Sequence, residues 1–349
     1  MDGSEQKKRT YFNIFKAFLM FCVIAGHGIE TGIVENNALT SSVYITFYTF
    51  HMFAFIFLLG YFSKSTALSS QKIASRGIFF FALYALGKGI YYGGFKLING
   101  ALPSWTTGTF WAEDAPPWYM MSAAFFMASL WIARKVPAWI MLPVSIAAGL
   151  FCGAFPKIGG FLCLSRTVIY LPLFLIGFYF PKDVFDQFLA KKREWGWLGA
   201  LGLALVWLLI WFQVNADPKF YAAATQVLYA NVSFFNMSRS LWEGVATRAV
   251  FYIIGLMMTF FAAIAVAGFC SAGFGKSIEQ AGRNTIAPYL MHYPLLLFGI
   301  QVLGAPLDPI AYIGYVVLIM FFWSFDIWER GLRLIQKGAM AFFGLFVKK

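Results

Sequence analysis

The chain has 349 residues, of which 60% are hydrophobic, 20% are aromatic and only 12% are charged; a soluble chain has about 25% charged residues, so this one carries too little charge to cover its apolar surface in water. The formal net charge of +12 does not mark a nucleic-acid binder, because the basic residues sit in short loops between apolar runs and not along a polar helix. No polar stretch is long enough for a soluble domain, so residues 1–349 read as one all-α membrane domain.

A hydrocarbon core about 30 Å thick takes about 20 apolar residues of helix. In chain order, spans are expected at 11–29, 44–63, 73–93, 117–133, 138–154, 164–180, 196–214, 247–271, 284–303 and 309–328. Turn signals punctuate them at Pro116-Pro117, Pro137, Pro181 and Asp308-Pro309. The first run follows Lys7, Lys8 and Arg9, as a signal peptide would. Lys16 inside it, and the lack of an A-x-A-like cleavage site, favour a retained helix. The segment 215–246 is expected as a loop, with Gln226–Phe235 a candidate for re-entry, and 331–349 as a basic amphipathic tail on the inner membrane surface.

Topology follows from the loops. Nineteen of the 27 Lys and Arg residues fall in one alternating set, which includes both termini; only Lys96, Lys157, Lys219 and Arg239 fall in the other. That bias places the first set, and both termini, in the cytosol; ten spans satisfy this parity, and the expected location is the plasma (inner) membrane. The four cysteines, Cys22, Cys152, Cys163 and Cys270, show no C-x-x-C spacing and read as small buried hydrophobes.

Ionisable groups inside spans are costly and are the best leads to function. In the first span Lys16 and His27 are 11 residues apart, so the helix turns roughly 20° past three full turns and rises about 16 Å between them. They share a face, with the cation towards the cytosolic end. Lys16 either snorkels to the interface or faces a ligand. His27 is flanked by Gly26 and Gly28, which allow close approach by another group, and Glu30 lies one turn on, placed to set its tautomer. All three histidines, His27, His51 and His292, fall in predicted spans. No spacing supports a three-histidine metal site, and no metal is expected. Lys88 lies mid-span, where snorkelling is difficult, and Arg166 follows Ser165 at the outer start of a span. Trp105, Trp111, Trp118 and Tyr119 are either belt residues or a stacking platform for a sugar. An intramembrane Lys/His/Arg pathway also fits a transporter, but no inverted repeat and no intramembrane Asp or Glu accompany it.

Asn13-Ile-Phe-Lys16 through Ala25-Gly26-His27 resembles the opening of the acyltransferase 3 family of integral membrane O-acyltransferases: a basic residue, ten residues, then a histidine. Asn13 stands where an aspartate is common. His51-Met52…Gly60, Pro117-Trp118-Tyr119 and Gly282-Arg283-Asn284-Thr285…Tyr289-Leu290-Met291-His292 resemble later segments of that family, in order; Phe53 and Leu59 stand where Pro and Ser are usual. Leu164-Ser165-Arg166…Leu171-Pro172-Leu173-Phe174…Gly177 is similar to its fucose 4-O-acetylase-like branch. The resemblance implies a ten-helix bundle that moves an acyl group, usually acetyl, from cytosolic acyl-CoA to a hydroxyl of an extracytoplasmic glycan or lipid-linked sugar. It implies His27 as general base or as a transient acyl carrier, assisted by Glu30, Ser165 and Arg166. Lys16, Lys88, His51 and His292 would contact the acetyl-CoA donor, and Trp105, Trp111, Trp118 and Tyr119 the acceptor.

Overall fold

The structure is a computed structural model and describes residues 3–100, 111, 115–184, 187, 192–217, 219–270 and 276–347. Its helices are α1 (Gly3–Thr31), α2 (Ala38–Phe62), α3 (Ser70–Asn99), α4 (Trp118–Ala133), α5 (Ala138–Phe151), α6 (Leu164–Tyr179), α7 (Lys192–Ala216), α8 (Phe220–Leu228), α9 (Leu241–Phe269), α10 (Lys276–Arg283), α11 (Ile286–Leu303), α12 (Pro309–Trp323) and α13 (Asp326–Val347). The described residues contain no strand; Val34 and Leu307 form one isolated bridge.

Each apolar run expected to span falls on a helix. Six of these, α1, α2, α3, α7, α9 and α11, are long and apolar enough to cross a membrane, and α12 with α13 makes a seventh if the pair counts as one bent span. Helix α4, helix α5 with its 3₁₀ end, and helix α6 are apolar but shorter. The proline signals sit at helix ends because proline lacks the N–H that helix interiors need. Pro117 and Pro137 are the N-caps of α4 and α5. Asp308 caps α12, its carboxylate accepting from the N–H groups of Ile310 and Ala311, with Pro309 in the first turn.

Three segments differ in their elements from the sequence-based expectation. The 309–328 run is two helices, bent by 54°. The break is held by polar contacts: Asn284 Nδ2 donates to the Ser324 carbonyl (2.8 Å) and to Asp326 Oδ1 (2.7 Å), and Trp328 Nε1 donates to the Phe322 carbonyl (3.0 Å). The 215–246 loop contains α8, and α9 begins at Leu241, six residues before the expected span. A capping box starts α9: Glu243 Oε2 accepts from the Ser240 N–H (2.8 Å), and Ser240 Oγ accepts from the Glu243 N–H (3.4 Å). Helix α10 forms where a loop was expected.

The chain divides into two compact units. One comprises Met1–Phe55, Pro181–Thr225 and Tyr252–Glu329, the other Ile56–Phe180, Gln226–Phe251 and Arg330–Lys349. In the first, α1 packs against α10, α11 and α12. It approaches α10 so closely that a Cβ on Gly282 would overlap the backbone carbonyl of Asn13, an example of small residues letting helix backbones meet in a bilayer. In the second unit α3 packs on α4, α5 on α6 and α4 on α6. Gly60 serves there as Gly282 does in the first, touching the Phe174 backbone.

The sign of a glycine substitution should therefore depend on place. Gly282→Ala should destabilise by about 1–3 kcal/mol through overpacking. Gly314→Ala in α12, where a Cβ meets nothing within 4 Å, should be neutral or stabilise by up to about 1 kcal/mol. Thermal unfolding of the two variants in one detergent checks the opposite directions.

Candidate active site

The three histidines come together in the first unit. His27, near the outer end of α1 by the topology expected above, has Nδ1 2.6 Å from Glu30 Oε2; the two side chains are 15% and 29% exposed. An ionised carboxylate only accepts, so Nδ1 carries a proton, and in the neutral imidazole Nε2 is the nitrogen with the lone pair. Tyr48 on α2 donates its hydroxyl to Glu30 Oε2 (3.2 Å), and its Oη lies 3.1 Å from Nδ1 and 3.5 Å from Nε2 of His27. Tyr48 also meets His51 edge-on at 4.8 Å between ring centres.

On α11 the His292 ring centre is 5.1 Å from that of His27, and Tyr293 packs edge-on against His27 at 5.6 Å. His51 and His292 each place Nδ1 2.6 Å from a backbone carbonyl of their own helix, Phe47 and Tyr289 respectively. A carbonyl cannot donate, so both are Nδ1–H tautomers as well.

The Gly26-His27-Gly28 motif has a physical use. A Cβ at Gly26 would lie 2.7 Å from Tyr48 Cε2, and one at Gly28 2.5 Å from the Tyr312 hydroxyl. Tyr312 donates that hydroxyl to the Ala25 carbonyl. Two tyrosines from α2 and α12 thus seat against the α1 backbone on either side of His27.

Nearer the start of the same helix, Lys16 is within electrostatic reach of Arg9, Arg283 and Glu329. Arg283 is itself paired with Asp326 Oδ1 at 3.0 Å, so three cations and two carboxylates leave this end of α1 with a single net positive charge, carried by Lys16 and Arg9 against Glu329. Asn13 donates Nδ2 to Glu279 Oε1 at 3.4 Å; an aspartate here would face that carboxylate with like charge. Among the described residues no group of three His, Cys, Asp or Glu side chains is placed to hold a metal ion.

The remaining candidates belong to the second unit. Ser165 Oγ donates to the Ala230 carbonyl (3.0 Å) and Arg166 Nε to the Tyr229 carbonyl (2.8 Å), both from α6 to the turn after α8. Arg248 on α9 reaches the Val227 carbonyl (3.3 Å). Ala230 and Ser238 have positive φ of 56° and 55°, so these contacts hold a turn that side chains rarely favour. Arg166 also lies 5.0 Å over the Trp118 ring, which stacks on Tyr170, and Tyr119 adjoins Trp118 edge-on at 6.1 Å. Lys88 is buried, donates to the Tyr84 hydroxyl (3.2 Å) and lies over the Tyr92 ring (5.2 Å). Trp111 is exposed, with its carbonyl accepting from the Leu162 N–H; Trp105 lies outside the described residues.

Sequence reasoning missed Tyr48, Tyr293 and Tyr312. Tyr48 had a readable signal, since it lies three residues before His51 and so shares its face. Tyr293 and Tyr312 had none.

An all-helical, multi-pass membrane protein with a polar cluster on its first helix is the class that this fold and site define. Residues 9–329 match the acyltransferase 3 family model, described as an acyltransferase domain. The chain belongs to that family. No curated protein and no solved structure matches it at a significant level.

The loop contacts of Arg166 should be measurable without activity. Arg166→Ala leaves a buried carbonyl without its charged donor and should cost about 1.5–3 kcal/mol, with faster amide exchange across 228–240. Arg134→Ala, whose partner Ser70 is reached at an exposed site, should stay within about 0.5 kcal/mol. Unfolding curves and exchange mass spectrometry on both variants decide this.

Proposed function

We propose that the protein is a membrane O-acyltransferase that moves an acyl group, acetyl in the first instance, from acyl-CoA to a hydroxyl of a sugar acceptor, and that it is of the fucose 4-O-acetylase-like branch. Membership of the family supports the activity, and Ser165-Arg166 with the Pro172…Gly177 stretch supports the branch. The observation that carries the site is the 2.6 Å contact between His27 Nδ1 and Glu30, because it fixes the imidazole with a basic Nε2.

His27 Nε2 takes the proton of the acceptor hydroxyl as its oxygen attacks the thioester carbonyl. The new C–O bond forms, the C–S bond breaks, and the imidazolium returns its proton to the leaving thiolate. Glu30 offsets the charge on His27 while that proton is held, and Tyr48 keeps the carboxylate in line. Lys16, Arg9 and Arg283 hold the phosphates of the donor at the cytosolic end. The pantetheine arm then covers the roughly 16 Å along α1 to His27. In this reading ten helices cross the membrane with both termini in the cytosol, the short α4, α5 and α6 included, and the ends of α13 lie on the inner surface.

Purified protein in liposomes with radiolabelled acetyl-CoA tests the assignment. His27→Ala should lower transfer by about 10²–10⁴-fold with insertion and thermal stability retained; undiminished acylation would remove His27 from the chemistry. Lys16→Ala should raise KM for acetyl-CoA and leave kcat nearly unchanged, since it acts on the bound donor away from the reacting atoms. An unaltered donor requirement would count against the phosphate role.

A further inference from the structure

His292 has a feature that donor binding does not explain. Its side chain is 0% exposed, and its Nε2 has no hydrogen-bond partner among the described residues. Leaving a buried polar atom unmade costs stability, so such an atom in a site points to a ligand that completes it.

Its chemistry is fixed by the other nitrogen. Nδ1 donates to the Tyr289 carbonyl at 2.6 Å, so neutral His292 has no proton left for Nε2. It cannot donate to an oxyanion. It can only accept, and what it accepts from must be an O–H or N–H group. The His27 ring centre is 5.1 Å away with the planes tilted by 39°, and its Nε2 is also a lone pair. Two neighbouring imidazole acceptors suit a ligand with two neighbouring donors.

We propose that His292 is a specificity-determining residue: it accepts a hydrogen bond from the hydroxyl next to the one that His27 deprotonates, so the acceptor is a vicinal diol of a sugar ring. The proposal rests on the O-acyltransferase reading above. It assigns His292 to the acceptor and away from the donor. An acceptor lacking the second hydroxyl leaves Nε2 buried and unsatisfied, which makes the missing group a penalty as well as a lost contact.

The test pairs methyl glucoside, galactoside and fucoside with their monodeoxy counterparts, using wild type, His292→Phe and His292→Gln. Wild type should prefer a diol over its monodeoxy partner by about tenfold or more in kcat/KM. His292→Phe, which keeps a ring in the packing but has no acceptor, should bring that ratio close to one. His292→Gln, whose amide oxygen accepts, should restore part of the preference. A preference that survives in His292→Phe overturns the proposal. So does a wild type that transfers equally to both, which would make water the partner of Nε2.

A readout without turnover separates this from the reaction itself. With only three histidines in the chain, ¹⁵N-histidine labelling gives three imidazoles, and His292→Phe assigns one by its loss. The diol glycoside alone should shift the His292 Nε2 resonance, and the monodeoxy sugar should not. That shift in a protein that transfers nothing supports the diol site and counts against the acyltransferase reading; transfer without the shift does the reverse.

Discussion

The contact between His27 Nδ1 and Glu30 gives the first unit its chemical direction. An imidazole in a helix can present either nitrogen, and which one is basic depends on what the other touches. Here the carboxylate is three residues on along the same helix, so helical geometry delivers it to the ring without a loop. Tyr48 then ties the carboxylate to α2. Were α1 to bend or turn between residues 27 and 30, the tautomer would be lost together with the position of the ring.

Keeping α1 straight and closely surrounded is therefore the second constraint, and glycine meets it. Gly26 and Gly28 let Tyr48 and Tyr312 rest on the α1 backbone, and Gly282 lets α10 do so near Asn13. A bilayer supplies little hydrophobic drive between helices, so close backbone approach and tyrosine hydroxyls bonded to carbonyls carry much of the association. Tyr312 on the Ala25 carbonyl and Tyr11 on the Ala263 carbonyl (3.2 Å) are of this kind.

Much of this was legible in the sequence because hydropathy is a local property. Each apolar run became a helix, and Pro117, Pro137 and Asp308-Pro309 marked helix starts, while Pro143, Pro172 and Pro294 lie inside helices. Whether short runs such as those of α4 and α6 cross the bilayer is not a local property, since it depends on tilt and on neighbours. The break at residues 324–325 was hidden for a related reason: only Ser324 and Asp326 interrupt the apolar run near its end, and their partner at the break is the side chain of Asn284, forty residues away in sequence. The start of α9 was readable, because Ser240-Leu241-Trp242-Glu243 is a capping box, but an acidic residue beside an apolar run reads first as loop. Within the site, the same-helix pair of His27 and Glu30 followed from spacing. The approach of His51 and His292 did not, because it is made by packing between helices. Ser165 and Arg166 were expected near the reacting atoms; their visible contacts are with backbone carbonyls of the turn after α8, and the sequence held no sign of those partners.

The same tautomer recurs three times, and that bears on what the cluster can recognise. His27, His51 and His292 each spend the Nδ1 proton on a fixed acceptor, a carboxylate once and a backbone carbonyl twice. Each is left with a lone pair at Nε2. A cluster built this way is poor at holding an anion, which needs donors, and well suited to hydroxyl groups, which bring their own protons. The cations that would hold an anionic donor are placed elsewhere, near the start of α1 around Lys16. In the proposed reading one helix presents a phosphate-seeking end and a hydroxyl-seeking end, separated by about three turns. A substrate with charge at one extremity and an electrophile at the other meets both ends when it lies along α1, and the acceptor needs to reach only the second.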